Sequence, residues 1–226
     1  MKRSEINANI RWAEGVLERY CFPLPRFARW GMDDWRKHRD AASEIFETGL
    51  GWDITDFGGG DFASVGAVLF TVRNGAHDRP GVGSPYAEKL ILLRDGQRLP
   101  CHYHAVKTED IINRGGSALW MRLFNRLPDG GVDTKTDVTV FSDGIRKTVG
   151  AGEKFFVATG DSVRLTPYVY HIFGAEGGDL VVGEVSSVND DHTDNYFSEP
   201  TARFPDVEED EKILYPLVGD LNGGAF

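Results

Sequence analysis

Cysteine is scarce: Cys21 and Cys101 are the two in 226 residues. One possible pair in a chain this long is no disulfide framework, and neither residue belongs to a Cys-x-x-Cys motif. A basic excess is missing as well. Asp and Glu number 35 against 25 Lys and Arg, a formal charge of -10, which repels nucleic-acid backbones and anionic membranes. Arg26, Arg29, Arg36, Lys37 and Arg39 are scattered among aromatics and acids and make no basic patch. No apolar run approaches the roughly 18 residues of a membrane helix. The opening Met1-Lys2-Arg3-Ser4-Glu5 leads into an amphipathic segment instead of the apolar stretch of a secretory leader, so the expected compartment is the cytoplasm. Gly58-Gly59-Gly60 lacks the following Lys-Ser/Thr and helix that a phosphate-cradling loop needs. What is present is 41% hydrophobic and 27% charged residues, an ordinary globular composition. The length suits a single all-β domain.

The first stretch, 1–58, reads as helical. Ser4 can cap a helix running to about Tyr20, with Ile6, Ile10, Ala13, Val16 and Leu17 as a stripe of helical period. Pro23 and Pro25 end it, and shorter helices are expected over Asp33–Lys37 and Ala41–Thr48. With Phe27, Trp30 and Trp35 close by, this region is expected to form a helical lid. From about residue 60 to 190 the pattern changes to short β-branched or aromatic runs. They are Phe62–Arg73, Ala87–Arg94, Arg98–His104, Ala118–Arg126, Asp137–Phe141, Ile145–Val149, Lys154–Ala158, Ser162–Leu165, Tyr168–Phe173 and Asp179–Ser187. Turn signals such as Asp95-Gly96, Asp143-Gly144 and Gly177-Gly178 separate many of them. Such strands without long intervening helices imply a mainly β jelly roll or small barrel. Residues 191–226, with Glu208-Glu209-Asp210-Glu211, read as an acidic tail draped over the barrel, and 1–226 as one domain.

His102 and His104 stand two apart on an expected strand, so both imidazoles point to one face. That spacing suits two ligands on one ion. Glu109 lies five residues past His104, on the opposite parity, so an inward Glu109 requires a bulge or bend between Ala105 and Thr108. The same bend would turn Lys107 inward. A more distant histidine, His171, follows a Gly160-Asp161 turn and Pro167.

These segments resemble the two motifs of the cupin superfamily, approximately G-x5-H-x-H-x3–4-E-x6-G and G-x5-P-x-G-x2-H-x3-N. Gly96, His102, His104, Glu109 and Gly116 fit the first. Gly160 and His171 keep the spacing of the second, but Pro167 falls one residue late, Tyr168 stands at the glycine position and Ala175 at the asparagine. The resemblance implies a double-stranded β-helix barrel and metal ligands at His102, His104, Glu109 and His171.

Finer text narrows this further. His104–Gly116, Leu50–Gly58, Tyr86–Lys89, Gly183–Asp191 and Asp194-Asn195 are similar to the D-lyxose ketol-isomerase family, and the similarity runs essentially end to end. It implies a Mn2+-dependent aldose–ketose isomerase acting on D-lyxose/D-xylulose and often D-mannose/D-fructose, a small-molecule enzyme; separately, an exposed barrel face and the N-terminal aromatics lead to the expectation of a homodimer. A metal ion could bind both oxygens of the sugar and act as Lewis acid and template. An enediol route also needs a base; a hydride shift does not.

Lys107 and Glu184 are the candidates beside the ion, with Glu109 as the carboxylate on it. Glu184 sits in an otherwise apolar strand, Leu180–Val185, either inward and functional or paired with a cation such as Lys89. Lys107, Glu184, Lys89 and Asp190 are the candidate sugar contacts, with turn capping as the competing role for Asp190. An iron-dependent cupin dioxygenase and a non-catalytic sugar-binding barrel are the alternatives.

Overall fold

The structure, a computed structural model, describes residues 1–222. Helix α1 (Arg3–Arg19) starts two residues earlier than the Ser4 cap implies, because the Lys2 N–H finds Glu5 Oε2 at 2.9 Å. Ser4 turns instead to Asp210 of the tail, its hydroxyl donating at 2.7 Å. Ile6, Ile10, Ala13, Val16 and Leu17 are all buried on one stripe. Two short helices follow, α2 (Met32–His38) and α3 (Ser43–Thr48), the latter stopped by Gly49 in the left-handed conformation.

The region read as helical ends in a strand, β1 (Gly51–Thr55), which pairs antiparallel with β2 (Ala67–Gly75). Trp52 and Ile54 face α1, and Trp52 Nε1 donates to Ala28 O at 2.7 Å. The next strands are β3 (Gly83–Leu93), β4 (His102–Tyr103), β5 (Glu109–Arg126), β6 (Val132–Asp133), β7 (Val138–Ser142) and β8 (Ile145–Val149). Then come β9 (Phe155–Val157), β10 (Ser162–Leu165), β11 (Val169–Ser187), β12 (Tyr196–Phe197) and a last helix, α4 (Val218–Asn222). The main order is β1-β2-β3-β11-β5-β10-β7-β8, with the named pairs antiparallel, an antiparallel barrel of the cupin kind.

Two expected strands, Tyr168–Phe173 and Asp179–Ser187, are one continuous β11, and β5 reaches back from Ala118 to Glu109. Gly177-Gly178 bends this pair without ending it. The glycines take φ of 92° and 146°, opposite Gly116 at 104°, and the register shifts between Glu176 and Leu180. A Cβ on Gly116 would sit 2.2 Å from Asp179 O, so only glycine allows the close approach at this corner.

Alternation along β2 and β3 then makes two cores. Leu69, Ile91 and Leu93 point into the barrel with Ile111, Met121 and Val182. Val68, Phe70, Leu90 and Leu92 point out, under α1. The helix covers the outer face of the sheet and leaves the mouth of the barrel to the tail. Buried Arg3 holds that tail through Glu209 and Asp220, at 2.6 and 2.7 Å.

Candidate metal centre

A two-residue strand and the two longest strands build the centre. β4 pairs with β11 at His102↔His171, so two histidines 69 residues apart become cross-strand neighbours. His104, two residues on from His102, returns to the same side. The candidate ligating atoms of the three histidines lie within 4.8 Å of one another, with His102 Nε2 and His171 Nε2 3.0 Å apart. Glu109 Oε1 joins them, 3.3 Å from His171 Nε2 and 3.6 Å from His104 Nε2.

The hydrogen bonds fix the tautomers. His102 Nδ1 donates to Pro100 O at 2.8 Å, His171 Nδ1 to Val169 O at 3.0 Å, and His104 Nδ1 to Asp194 O. A carbonyl only accepts, so Nδ1 carries the proton and each Nε2 presents a lone pair. Burial pushes His102 down to about 3, helped by His171. Burial likewise brings His104, beside Lys107, and His171 to about 4. The rings are therefore neutral near pH 7. Three lone pairs and a carboxylate oxygen converge with no proton between them, and Glu109 Oε1 is buried without a hydrogen-bond partner among the described residues. Converging acceptors of this kind fit a divalent cation.

Between His104 and Glu109 the chain leaves β4 and bends before entering β5. Lys107 and Glu109 thereby join His102 and His104 in the same cavity. Lys107 Nζ lies 2.8 Å from both Glu109 Oε2 and Glu184 Oε1, and 3.1 Å from Asn189 Oδ1. Burial alone would strip its proton, but the two carboxylates outweigh this and raise Lys107 above the usual lysine range. Burial would likewise raise Glu109; Lys107 and the imidazoles hold it well below the usual carboxylate range.

Glu184 stands between Ile111 of β5 and Lys89 of β3, all on the inner face. Its charge partner is Lys107, not Lys89. Lys89 turns to Asp191, with contacts of 3.0 and 2.9 Å. Asp191 also meets Arg203 Nη2 at 3.2 Å, and the same nitrogen lies 2.9 Å from Asp53. Burial would raise Asp191, yet Lys89 and Arg203 keep it well below the usual range.

Asp190, expected among the sugar contacts, is placed elsewhere. Its carboxylate caps a turn, accepting from His192 N at 2.9 Å and from Thr193 N and Oγ1 at 3.2 and 2.5 Å. The next residue, Asp191, is the one that lines the metal cavity. Arg203 and Phe197 line it too, and nothing in their local sequence marks them. Phe197 packs edge-on against Phe57, giving the cavity an apolar wall opposite its charged one. Trp52 is core and Tyr86 exposed, so neither contributes.

The glycine position of the second motif is filled by Tyr168 at φ 68°, the left-handed conformation a glycine would take there without strain. Its N–H donates to His104 O at 2.8 Å, so the turn geometry of the motif survives the substitution.

Residues 1–221 match the family model described as D-lyxose isomerase. The chain belongs to the D-lyxose isomerase family. It is 44% identical over 214 residues to the D-lyxose/D-mannose isomerase of Serratia proteamaculans, covering 93% of each chain. Against the D-lyxose/D-mannose isomerase of Escherichia coli O157:H7 it is 43% identical over 224 residues, 97% of this chain and 98% of the other. Among solved structures, the L-ribose isomerase of Acinetobacter sp. DL28 with L-ribose superposes with a TM-score of 0.59 at 14% identity, over 92% of this chain and 98% of that one. The L-ribose isomerase of Cellulomonas parahominis gives 0.57 at 14% identity, over 92% and 98%. At such identity these likenesses establish the fold. Membership of the D-lyxose isomerase family makes the protein a sugar isomerase.

Proposed function

We propose that the protein interconverts D-lyxose with D-xylulose, and D-mannose with D-fructose, using Mn2+ held by His102, His104, Glu109 and His171. The two bacterial relatives are D-lyxose/D-mannose isomerases, which supports these sugars. The orphaned Glu109 Oε1 among three lone pairs carries the metal reading. When bound, the ion supplies Lewis-acid polarisation of the sugar oxygens. Nitrogen and carboxylate donors together suit Mn2+.

Glu184 is the base that takes the C2 proton of the aldose and returns it to C1. Its neighbour Lys107, held charged, donates to the oxygen on which charge develops. Phe57 and Phe197 exclude water from one side of the reacting carbons. Lys89, Asp191 and Arg203 bind hydroxyls of the remaining chain. Arg203 Nη1 is buried without a partner, a donor left for the sugar. The whole of 1–226 acts as one catalytic unit, because the tail supplies Arg203; we place it in the cytoplasm as a homodimer.

The test is to strip the protein of metal, supply D-lyxose or D-mannose under nitrogen, and restore Mn2+, Fe2+ or Zn2+ in turn. Ketose should form, most rapidly with Mn2+. Turnover that survives complete metal removal, or a product that requires O2, would overturn the proposal.

A further inference from the structure

We infer that Asp194 is a positioning residue for the metal centre, acting through the backbone between His104 and Glu109. This rests on the metal reading above and extends it to a residue that is outside the ligand set. Asp194 is 7% exposed, and it lies on the segment after β11 instead of on the barrel. Its carboxylate accepts three successive backbone N–H groups: Ala105 at 2.7 Å and Val106 at 3.1 Å on Oδ1, and Lys107 at 2.9 Å on Oδ2. Its main-chain carbonyl accepts His104 Nδ1.

One residue therefore does two things. Three consecutive N–H groups that point to one anion form a curled backbone, a conformation that an extended strand cannot adopt. This curl is the bend that brings Lys107 and Glu109, of odd parity relative to His104, into the cavity with it. The carbonyl meanwhile holds the His104 tautomer whose Nε2 lone pair faces the centre. Asp194 is itself seated by the turn that Asp190 caps, its N–H donating to Asp190 O at 3.1 Å. The capped turn thus clips the tail to the metal loop, which gives Asp190 an indirect role in place of the sugar contact.

The experiment compares wild type, Asp194→Ala, Asp194→Asn and a control, Asp133→Ala. The control removes a carboxylate that also takes two loop N–H groups, at 2.8 and 3.1 Å, on the connection between β6 and β7. Mn2+ affinity is read by titrating the metal-free proteins and measuring free Mn2+ by electron paramagnetic resonance; thermal midpoints of the metal-free forms are recorded alongside. Loss of a group that orients a ligand costs about 10–100-fold in metal affinity. Asp194→Ala should show that loss, Asp194→Asn should recover part of it through its remaining carbonyl oxygen, and Asp133→Ala should bind as wild type. Affinity within twofold of wild type in Asp194→Ala would overturn the inference. So would a loss no greater than that of Asp133→Ala at an equal fall in thermal midpoint. Failure of wild type itself to bind Mn2+ would instead defeat the metal reading beneath it.

Discussion

Lys107 Nζ and Glu184 Oε1 lie 2.8 Å apart with their side chains 3% and 6% exposed, although the residues are 77 positions apart in the chain. Glu109 also meets Lys107, but its other oxygen lies 3.3 Å from His171 Nε2, whereas among the described residues no ion pair joins Glu184 to the three histidines. Glu184→Gln should therefore abolish turnover and leave Mn2+ bound. Steady-state rates with D-lyxose and a Mn2+ titration on the same preparation check it; near-normal activity rejects the base role.

Removing the ammonium has a different signature. Lys107→Met leaves Glu109 and Glu184 buried without their countercharge, and breaking a buried pair from one side costs about 3–5 kcal/mol. The cost should be largest in the metal-free protein and smaller with Mn2+ present, because the ion compensates Glu109. Urea unfolding with and without Mn2+ measures both. Equal losses in the two conditions would mean that Glu109 does not face the ion. Activity should fall by about 100-fold even when Mn2+ is saturating, as for loss of a donor to a developing oxyanion.

The buried imidazoles set a pH dependence with a definite sign. Their folded values, about 3 for His102 and about 4 for His104 and His171, lie below the unfolded value of about 6.5. Above pH 6.5 both states are neutral and the rings contribute nothing. Below it the unfolded chain takes up protons that the folded one refuses, so metal-free stability falls as pH drops from 6.5 towards 4. At pH 5 the loss approaches about 2 kcal/mol per ring. The same values make Mn2+ affinity nearly flat between pH 7.5 and about 5.5, because binding displaces no ring proton. A tenfold loss of affinity per pH unit just below pH 7 would show that the rings titrate near their ordinary value.

Much of this site could be read from the sequence, for reasons of spacing. His102 and His104 are legible because a strand repeats every two residues; Glu109 comes from the resemblance to the first motif, with a bend as the condition its odd parity sets. His171 needed the motif around Gly160, and the structure shows why the motif tolerates Tyr168: the residue adopts the glycine's positive φ. Other features had no local signal. Gly177-Gly178 reads as a turn in one dimension, and only pairing with β5 reveals a corner within one strand. Arg203 reaches back to Asp53 across a contact that no periodicity encodes; Asp194 stands in a segment that carries the family resemblance, but its hold on Lys107, 87 positions away, does not show there. The choice of Lys107 over Lys89 as partner of Glu184 is of the same kind: both lysines face inward, and Asp191 decides between them by capturing Lys89.

Arg203 yields the last prediction. Its Nη2 is committed to Asp53 and Asp191, while Nη1 is buried without a hydrogen-bond partner and the residue lines the metal cavity. A buried donor left unmade is costly in the free protein and is recovered when a ligand supplies an acceptor. Among the described residues no hydrogen bond or ion pair joins Arg203 to Lys107 or Glu184, so the recovered bond is assigned to binding. Arg203→Met should raise KM for D-lyxose by about 10–100-fold, the worth of one hydrogen bond from a charged donor, with kcat changed only a few-fold. Asp191 keeps Lys89 as a partner in this variant, which limits structural damage. A lowered thermal midpoint with KM unchanged would assign Arg203 to holding the tail in place and take it out of the sugar site.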